Sequence, residues 1–402
     1  MSGYLSLLKT PGVARIISAQ LTARFPNGML SLAYLLHIEG LTGSYGSAGL
    51  VLATTSVGQA IAGPLTSRWM GRWAMRPVLI LTLIVCALSM AGIALLTVPI
   101  WAYMAIGFVG GLATPPIQPA VRTIYPKMVN SRQLTPLFSL DASAQEIIWV
   151  AAPVVTTLIA TQVSTVAAIT VAGVFLVGGG AWFISSPEVG RVRIPRSRRK
   201  IGVVLSRPPV LLATVTGFLL IGACAAVEVG VVATFGEGSI EPGVILAIFA
   251  TGSLIGGLAL GHVPIGPWAL ARRMAGVAVG MALAAASLDF WWLAITLLIA
   301  GVGIAPALAV MFAIVSASVK FSETAEAYGW VGTGQLIGAA LGSAVAGFTI
   351  DGFGPTGAFI VAAIFAIIGT VIPVLFRGAH PDLRGRDPSP IPDTEPVSVQ
   401  PS

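Results

Sequence analysis

Apolar runs long enough to cross a bilayer recur along this chain with almost nothing between them, and that recurrence decides what the chain can fold into. A helical span needs about 20 apolar residues. Such runs lie near residues 14–38, 46–67, 77–98, 101–124, 137–161 and 164–185, and again near 209–235, 242–262, 272–288, 291–318, 325–350 and 356–376. Spread over 402 residues, they leave no interval for a soluble domain. Only 9% of the residues are charged and mean hydropathy is +0.92, whereas a soluble domain carries roughly a quarter charged residues. The sequence therefore predicts an all-α membrane protein with twelve transmembrane helices.

The one long polar interval, residues 185–209, divides the runs six and six. It holds Arg191, Arg193, Arg196, Arg198, Arg199, Lys200 and Arg207, seven of the chain's 22 Lys and Arg. Basic loops stay in the cytoplasm, so this interval orients the helices on either side. With an internal N-terminus the expected outer loops contain no Lys or Arg, and Arg24 alone is left inside a span. The expected organisation is an N-terminal six-helix half (1–186), a basic cytoplasmic linker (187–208), a C-terminal half (209–377) and a disordered cytoplasmic tail (378–402). Both termini are expected in the cytoplasm and the protein in the plasma membrane. The N-terminus shows no cleavage site, so the first helix is expected to remain. The net charge of +7 is spread over loops on one side, which sets topology and argues against a nucleic-acid partner. Cys86 and Cys224 both fall in spans and offer neither a disulfide framework nor a metal motif.

A weak repeat joins the halves. At an offset of 190 residues Trp101 meets Trp291, Gly111 meets Gly301, Pro116 meets Pro306 and Gln145 meets Gln335; at 194, Gly58 meets Gly252 and Gly63 meets Gly257. Parallel six-helix repeats joined by a basic loop suit a central site that alternates between two sides. The turn GPLTSRWMGRWAMRPVL, Gly63 to Leu79, resembles the signature between helices two and three of the major facilitator superfamily. Gly63, Arg68, Arg72 and Arg76 fall in that motif, but Gly71 stands where the family has Asp and Ala74 where it has Gly. Of the family's exporter signature in helix five, VAAPVV keeps only Pro153. ARFPNGM, TGSYGSAGL, ATPPIQPAVR and LDASAQE resemble actinobacterial members of the superfamily associated with export. The resemblance implies two pseudo-symmetric halves, and at the motif a charged gate on the cytoplasmic side.

Ionisable groups inside spans are costly and are functional candidates by default. Arg24 lies near the midplane of helix one, and Glu146 near that of helix five. A pair between them has two readings: a titrating couple that changes during transport, or a permanent ion pair that fixes packing. Glu228 in helix seven has no basic residue at its depth. The offset of 194 makes Tyr34 its counterpart, so both are expected at the cavity, with Gln145 and Gln335. Arg122, at the end of helix four, is expected to snorkel to the surface and to pair with Asp141. Gly334, Gly338 and Gly342, four apart, are expected to allow close helix packing.

No metal cluster, phosphate loop or nucleophile triad appears, so neither a cofactor nor an enzyme is expected. The reading reached is a monomeric secondary transporter in the lipid bilayer, exporting a small apolar or amphipathic molecule in exchange for protons. Uptake by the same fold is the alternative, ahead of a membrane enzyme or receptor.

Overall fold

The structure, a computed structural model, describes residues 2–197, 200–236 and 240–393. Arg198 and Arg199 of the basic interval, and the tail from 394 on, lie outside these residues. A short helix α1 (Ser2–Lys9) leads into α2 (Val13–Arg24) and α3 (Pro26–Thr42). Phe25, between them, keeps helical angles (φ −52°, ψ −38°). The two are thus one helix bent where Pro26 removes an N–H from the hydrogen-bond ladder.

Next come α4 (Tyr45–Trp73), α5 (Met75–Leu95), α6 (Ile100–Leu112) and α7 (Ile117–Ile124). Pro115 and Pro116 separate the last two. α8 (Ser131–Gln162), α9 (Thr165–Ser185) and the single turn α10 (Pro187–Arg191) complete the N-terminal group. After the linker follow α11 (Pro208–Phe235), α12 (Glu241–Leu260), α13 (Ala269–Ala284), α14 (Phe290–Ser318), α15 (Phe321–Phe353) and α16 (Pro355–Leu375). Side-chain caps fix several starts: Ser44 on α4, Asn130 on α8, Ser164 on α9 and Asp289 on α14 each accept a backbone N–H of the first turn.

Among the described residues ten helical segments are long and apolar enough to cross a membrane, rather than the twelve expected. The first expected run is divided at Pro26, and α13 has only 16 residues.

One helix crossing occurs twice. A Cβ on Gly58 would overlap the Phe108 carbonyl oxygen, and one on Gly111 that of Thr55, so α4 and α6 touch backbone to backbone. In the C-terminal group Gly252 meets Leu298 and Gly301 meets Phe249 in the same way, joining α12 and α14. These are the glycines that the offsets of 194 and 190 pair in the sequence. Gly338 and Gly342 of α15 likewise press on the carbonyls of Phe218 and Gly222 in α11, the close packing that their spacing predicts.

The apolar core is in two unequal parts. Its larger part runs from α2, α5, α7 and α8 into all six C-terminal helices. A second part, around Met29, Tyr34, Ile38, Val51, Met90 and Tyr103, contains N-terminal helices only. Away from the linker the two groups therefore share no buried core.

The first part of the tail is not disordered. Leu383 N–H donates to the Ile265 carbonyl (2.9 Å), and Ile391 pairs with the α14–α15 turn through Val319 (2.9 Å) and Phe321 (3.0 Å). Asp393 accepts from both the backbone N–H (3.1 Å) and the hydroxyl (2.6 Å) of Ser322, in the first turn of α15. Proline-rich composition misled here because these bonds are made by backbone groups and by one carboxylate at a helix N-terminus.

Candidate functional site

The two groups of helices meet along two seams, both in the halves of the helices nearer the linker. In the first, α4 lies on α15: Gly63 and Gly329 face each other, and Thr333 Oγ donates to the Ala60 carbonyl at 2.7 Å. In the second, α8 lies on α12: Ser139 Oγ donates to the Gly257 carbonyl at 2.5 Å, with Ser143 against the same glycine. Tyr4 of α1 donates to that carbonyl as well, at 3.1 Å. The seams are repeats of each other, since Gly63 and Gly257 differ by 194 positions, and Ser139 and Gly329 by 190.

A polar network fills the N-terminal group beside the second seam. Arg24 donates to Gln20 Oε1 (2.8 Å) and Gln145 Oε1 (2.6 Å), and Gln20 Nε2 donates to Asp141 Oδ1 (3.0 Å). Asp141 also accepts from Tyr125 OH (3.0 Å) and Arg122 Nε (3.3 Å). With its amide oxygen turned toward the guanidinium, Gln118 accepts from Arg122 at 2.5 and 2.7 Å. Arg122 is fully buried, its guanidinium 3.4 Å from the centre of the Phe312 ring in α14. It pairs with Asp141 as expected, but it does not snorkel: the charge is satisfied inside the protein, by a carboxylate and an aromatic face.

Glu146 is not the partner of Arg24. One residue on from Gln145, it is turned by about 100° around the helix and leaves the network altogether. Its Oε1 accepts from Ser253 Oγ of α12 at 2.8 Å, and that hydroxyl accepts from the Ala305 N–H at 3.2 Å. Ser253 is fully buried and its single proton is committed to Glu146, so a carboxylate of one group is held by a hydroxyl of the other.

The Glu228 side chain is exposed. It is close enough to Glu146 and Cys224 to act on both electrostatically. Tyr34 does not share that exposure; it is 4% exposed, in the N-terminal core near Cys86. Gln335 of α15 lies against Gly217 of α11, and its Nε2 is buried without a hydrogen-bond partner among the described residues. The structure thus brings Arg24, Gln145, Asp141 and Arg122 together, brings Glu146 near Glu228, and sets Tyr34 apart.

Sequence reasoning missed Gln20, Tyr125, Ser253 and Glu326. Gln20 carried a signal, one turn from Arg24 on the same face. Ser253 carried none, being one hydroxyl in an apolar helix.

The sequence matches the Major Facilitator Superfamily over residues 16–288 and 233–399. The chain belongs to that superfamily. No curated protein matches it in a sequence comparison. Several solved structures share its fold at low identity. The human organic anion transporter MFSD10 (TETRAN) is 15% identical with a TM-score of 0.70, matching 90% of this chain and all of that one. A bacterial homologue of the iron transporter ferroportin in an outward-facing state is 11% identical with a TM-score of 0.71, over 91% and 99%. A variant of the E. coli fucose:proton symporter FucP is 14% identical with a TM-score of 0.69, over 91% and 98%. The chain is accordingly a multi-pass membrane transporter for a small molecule, working by alternating access, and not an enzyme.

The superfamily's signature turn is rebuilt in this member. Ala74, between α4 and α5, has φ 70° and ψ 160°, a conformation open to glycine and strained for alanine by about 1–3 kcal/mol. Gly71 lies under the linker, where a Cβ would come 3.2 Å from the Pro195 carbonyl oxygen. A carboxylate at this position would press against that oxygen. Charge at the first seam is carried elsewhere. Arg68 pairs with Glu326 of α15 (3.1 Å), whose other oxygen accepts the Gly202 N–H of the linker (2.8 Å). Arg207 pairs with Glu323 (2.6 Å), Arg76 donates to the Ile184 and Ser186 carbonyls, and Arg72 stacks on Trp73 at 5.9 Å.

Proposed function

We propose that this transporter exports a small apolar or amphipathic molecule in exchange for protons. The carrying observation is the bond between Glu146 of α8 and Ser253 of α12, at a seam that must part when the linker side opens. We place twelve spans in two pseudo-symmetric halves, counting the bent α2–α3 helix and α13 with the ten long segments. The linker and both termini are cytoplasmic, as the distribution of Lys and Arg requires. The structure is then the outward-facing state, closed at the two cytoplasmic seams.

In this state a charged Glu146 draws the Ser253 hydroxyl into a charge-assisted bond, roughly twice as strong as a neutral one. A proton arriving from outside removes the charge, weakens the bond and favours opening toward the cytoplasm. Release of that proton inside, with substrate bound, allows the seam to re-form and carries the substrate out. Glu228 provides a second carboxylate on the same route, and Gln335 offers an unpaired amide donor to the substrate. Arg24, Gln145, Asp141 and Arg122 form the fixed wall against which α8 is held. The scarcity of charge beside Glu146 and Glu228 suits an apolar substrate.

Glu146→Gln keeps the shape and removes the titration. In reconstituted vesicles it is expected to bind substrate and to abolish accumulation driven by a proton gradient, while exchange of substrate continues. Undiminished gradient-driven accumulation in a folded variant would exclude Glu146 from coupling.

A further inference from the structure

On the linker side, away from the seams' polar groups, a cavity of about 750 Å³ is lined by Thr10, Pro11, Lys127, Glu188, Arg191, Arg193 and Phe321 among others. That volume lies in the range of small-ligand sites, roughly 300–1,000 Å³. Its charge is one-sided. Glu188, the one acidic residue in its lining among the described residues, pairs with Arg15 through Oε1. Arg191 and Arg193 make no ion pair among the described residues, and Lys127 Nζ rests 4.6 Å from the centre of the Phe321 ring. Three cations therefore line one space that has, among the described residues, a single carboxylate, itself shared with Arg15.

The backbone that carries the two arginines is also anchored. Arg76 anchors the start of α10 through the Ile184 carbonyl (3.1 Å) and the Ser186 carbonyl (3.2 Å), and its guanidinium lies against Gly190. Arg191 ends that turn and Arg193 follows two residues later. Lys127 ends the helical turn after α7, and its ammonium is directed by the ring beneath it. Two arginines and a lysine lining one cavity suit an anion with several oxygens at one centre, because each guanidinium fork can take two of them.

We propose that this cavity binds a phosphate-bearing anion. Its source can be a soluble phosphate or the headgroup of an anionic lipid, since on the proposed topology the cavity is on the cytoplasmic side, where basic groups commonly meet headgroups.

The test uses the full chain purified in neutral detergent. Inorganic phosphate is titrated at constant ionic strength against chloride while thermal unfolding is followed, since a ligand of the folded state raises Tm. In parallel the chain is placed in phosphatidylcholine bilayers with and without phosphatidic acid. Stabilisation by inorganic phosphate supports the site with a soluble ligand; stabilisation by phosphatidic acid alone supports it with a lipid headgroup. In either case the triple variant Lys127→Gln, Arg191→Gln, Arg193→Gln should need at least about tenfold more anion for half its effect, as expected from the loss of charge-assisted bonds together worth about 1.4 kcal/mol or more. All three positions are exposed, so the variant is expected to fold. Arg272→Gln, an exposed cation of the other group, should leave the titration unchanged. No stabilisation by either anion, an undiminished effect in the triple variant, or an equal loss in Arg272→Gln would overturn the proposal.

Discussion

The two seams that close the linker side share a backbone design and differ in chemistry. Each brings a glycine against the opposite group: Gly63 on Gly329 in one, Gly257 on Ser139 in the other. The α4–α15 seam is locked by an ion pair, Arg68 with Glu326, and by a linker amide on the same carboxylate. The α8–α12 seam has no ion pair among the described residues and is tied by hydroxyls and by Glu146. Close approach is thus common to both halves of the repeat, whereas sensitivity to a proton is expected of one. On the proposed function, a lock indifferent to pH thus stands beside a titrating latch.

The comparison breaks most visibly if the close approach is removed. A side chain at Gly257 would collide with Ser143 and one at Gly63 with the Gly329 carbonyl, so Gly257→Val and Gly63→Val should each prevent closure. Thiol labelling of a cysteine placed on the linker side of the cavity is expected to rise more than about tenfold in both, a shift of over about 1.4 kcal/mol. A rise in one variant alone would mean that the seams are not equivalent in packing.

Beside the ionic seam, Ala74→Gly should relieve the strained turn. Removal of about 1–3 kcal/mol of strain, less the roughly 0.5–1 kcal/mol that glycine costs in the unfolded chain, leaves about 1 kcal/mol of stabilisation. A higher Tm would show it; a lower one would mean that the turn is not strained as its angles indicate.

The smallest effect is expected at the ion pair itself. Glu326→Gln keeps an acceptor for Gly202 and removes the charge facing the part-exposed Arg68. Such a pair is worth up to about 1 kcal/mol, so linker-side labelling should rise by roughly two- to fivefold. That rise should be the same from low to high pH, because the latch on the other seam is intact.

Much of this was legible in the sequence. The spans followed from apolar runs, and Gly58, Gly63 and Gly111 announced their counterparts in the other half through the offsets, because close helix crossings admit little but glycine. The signature turn gave the superfamily, and its departures at Gly71 and Ala74 correspond to a covering linker and a strained turn. Side-chain partners were less accessible. Arg24 and Glu146 share a depth but not a face, and only the rotation of α8 sends one to Gln145 and the other to Ser253. Glu326 lies 258 positions from Arg68, so nothing local connects them. The tail was misjudged from composition, which does not register backbone bonds such as that between Leu383 and Ile265.

The most direct test of the titrating latch is linker-side thiol labelling of a single-cysteine protein, measured from about pH 9 down to about pH 5, a range wide enough to cover a perturbed carboxylate. As pH falls, protonation of Glu146 should weaken its bond to Ser253 and labelling should rise; in Glu146→Gln it should stay high and flat throughout. Labelling that is flat in the unmodified latch, or that keeps its full pH dependence in Glu146→Gln, would contradict the assignment of proton sensitivity to the α8–α12 seam.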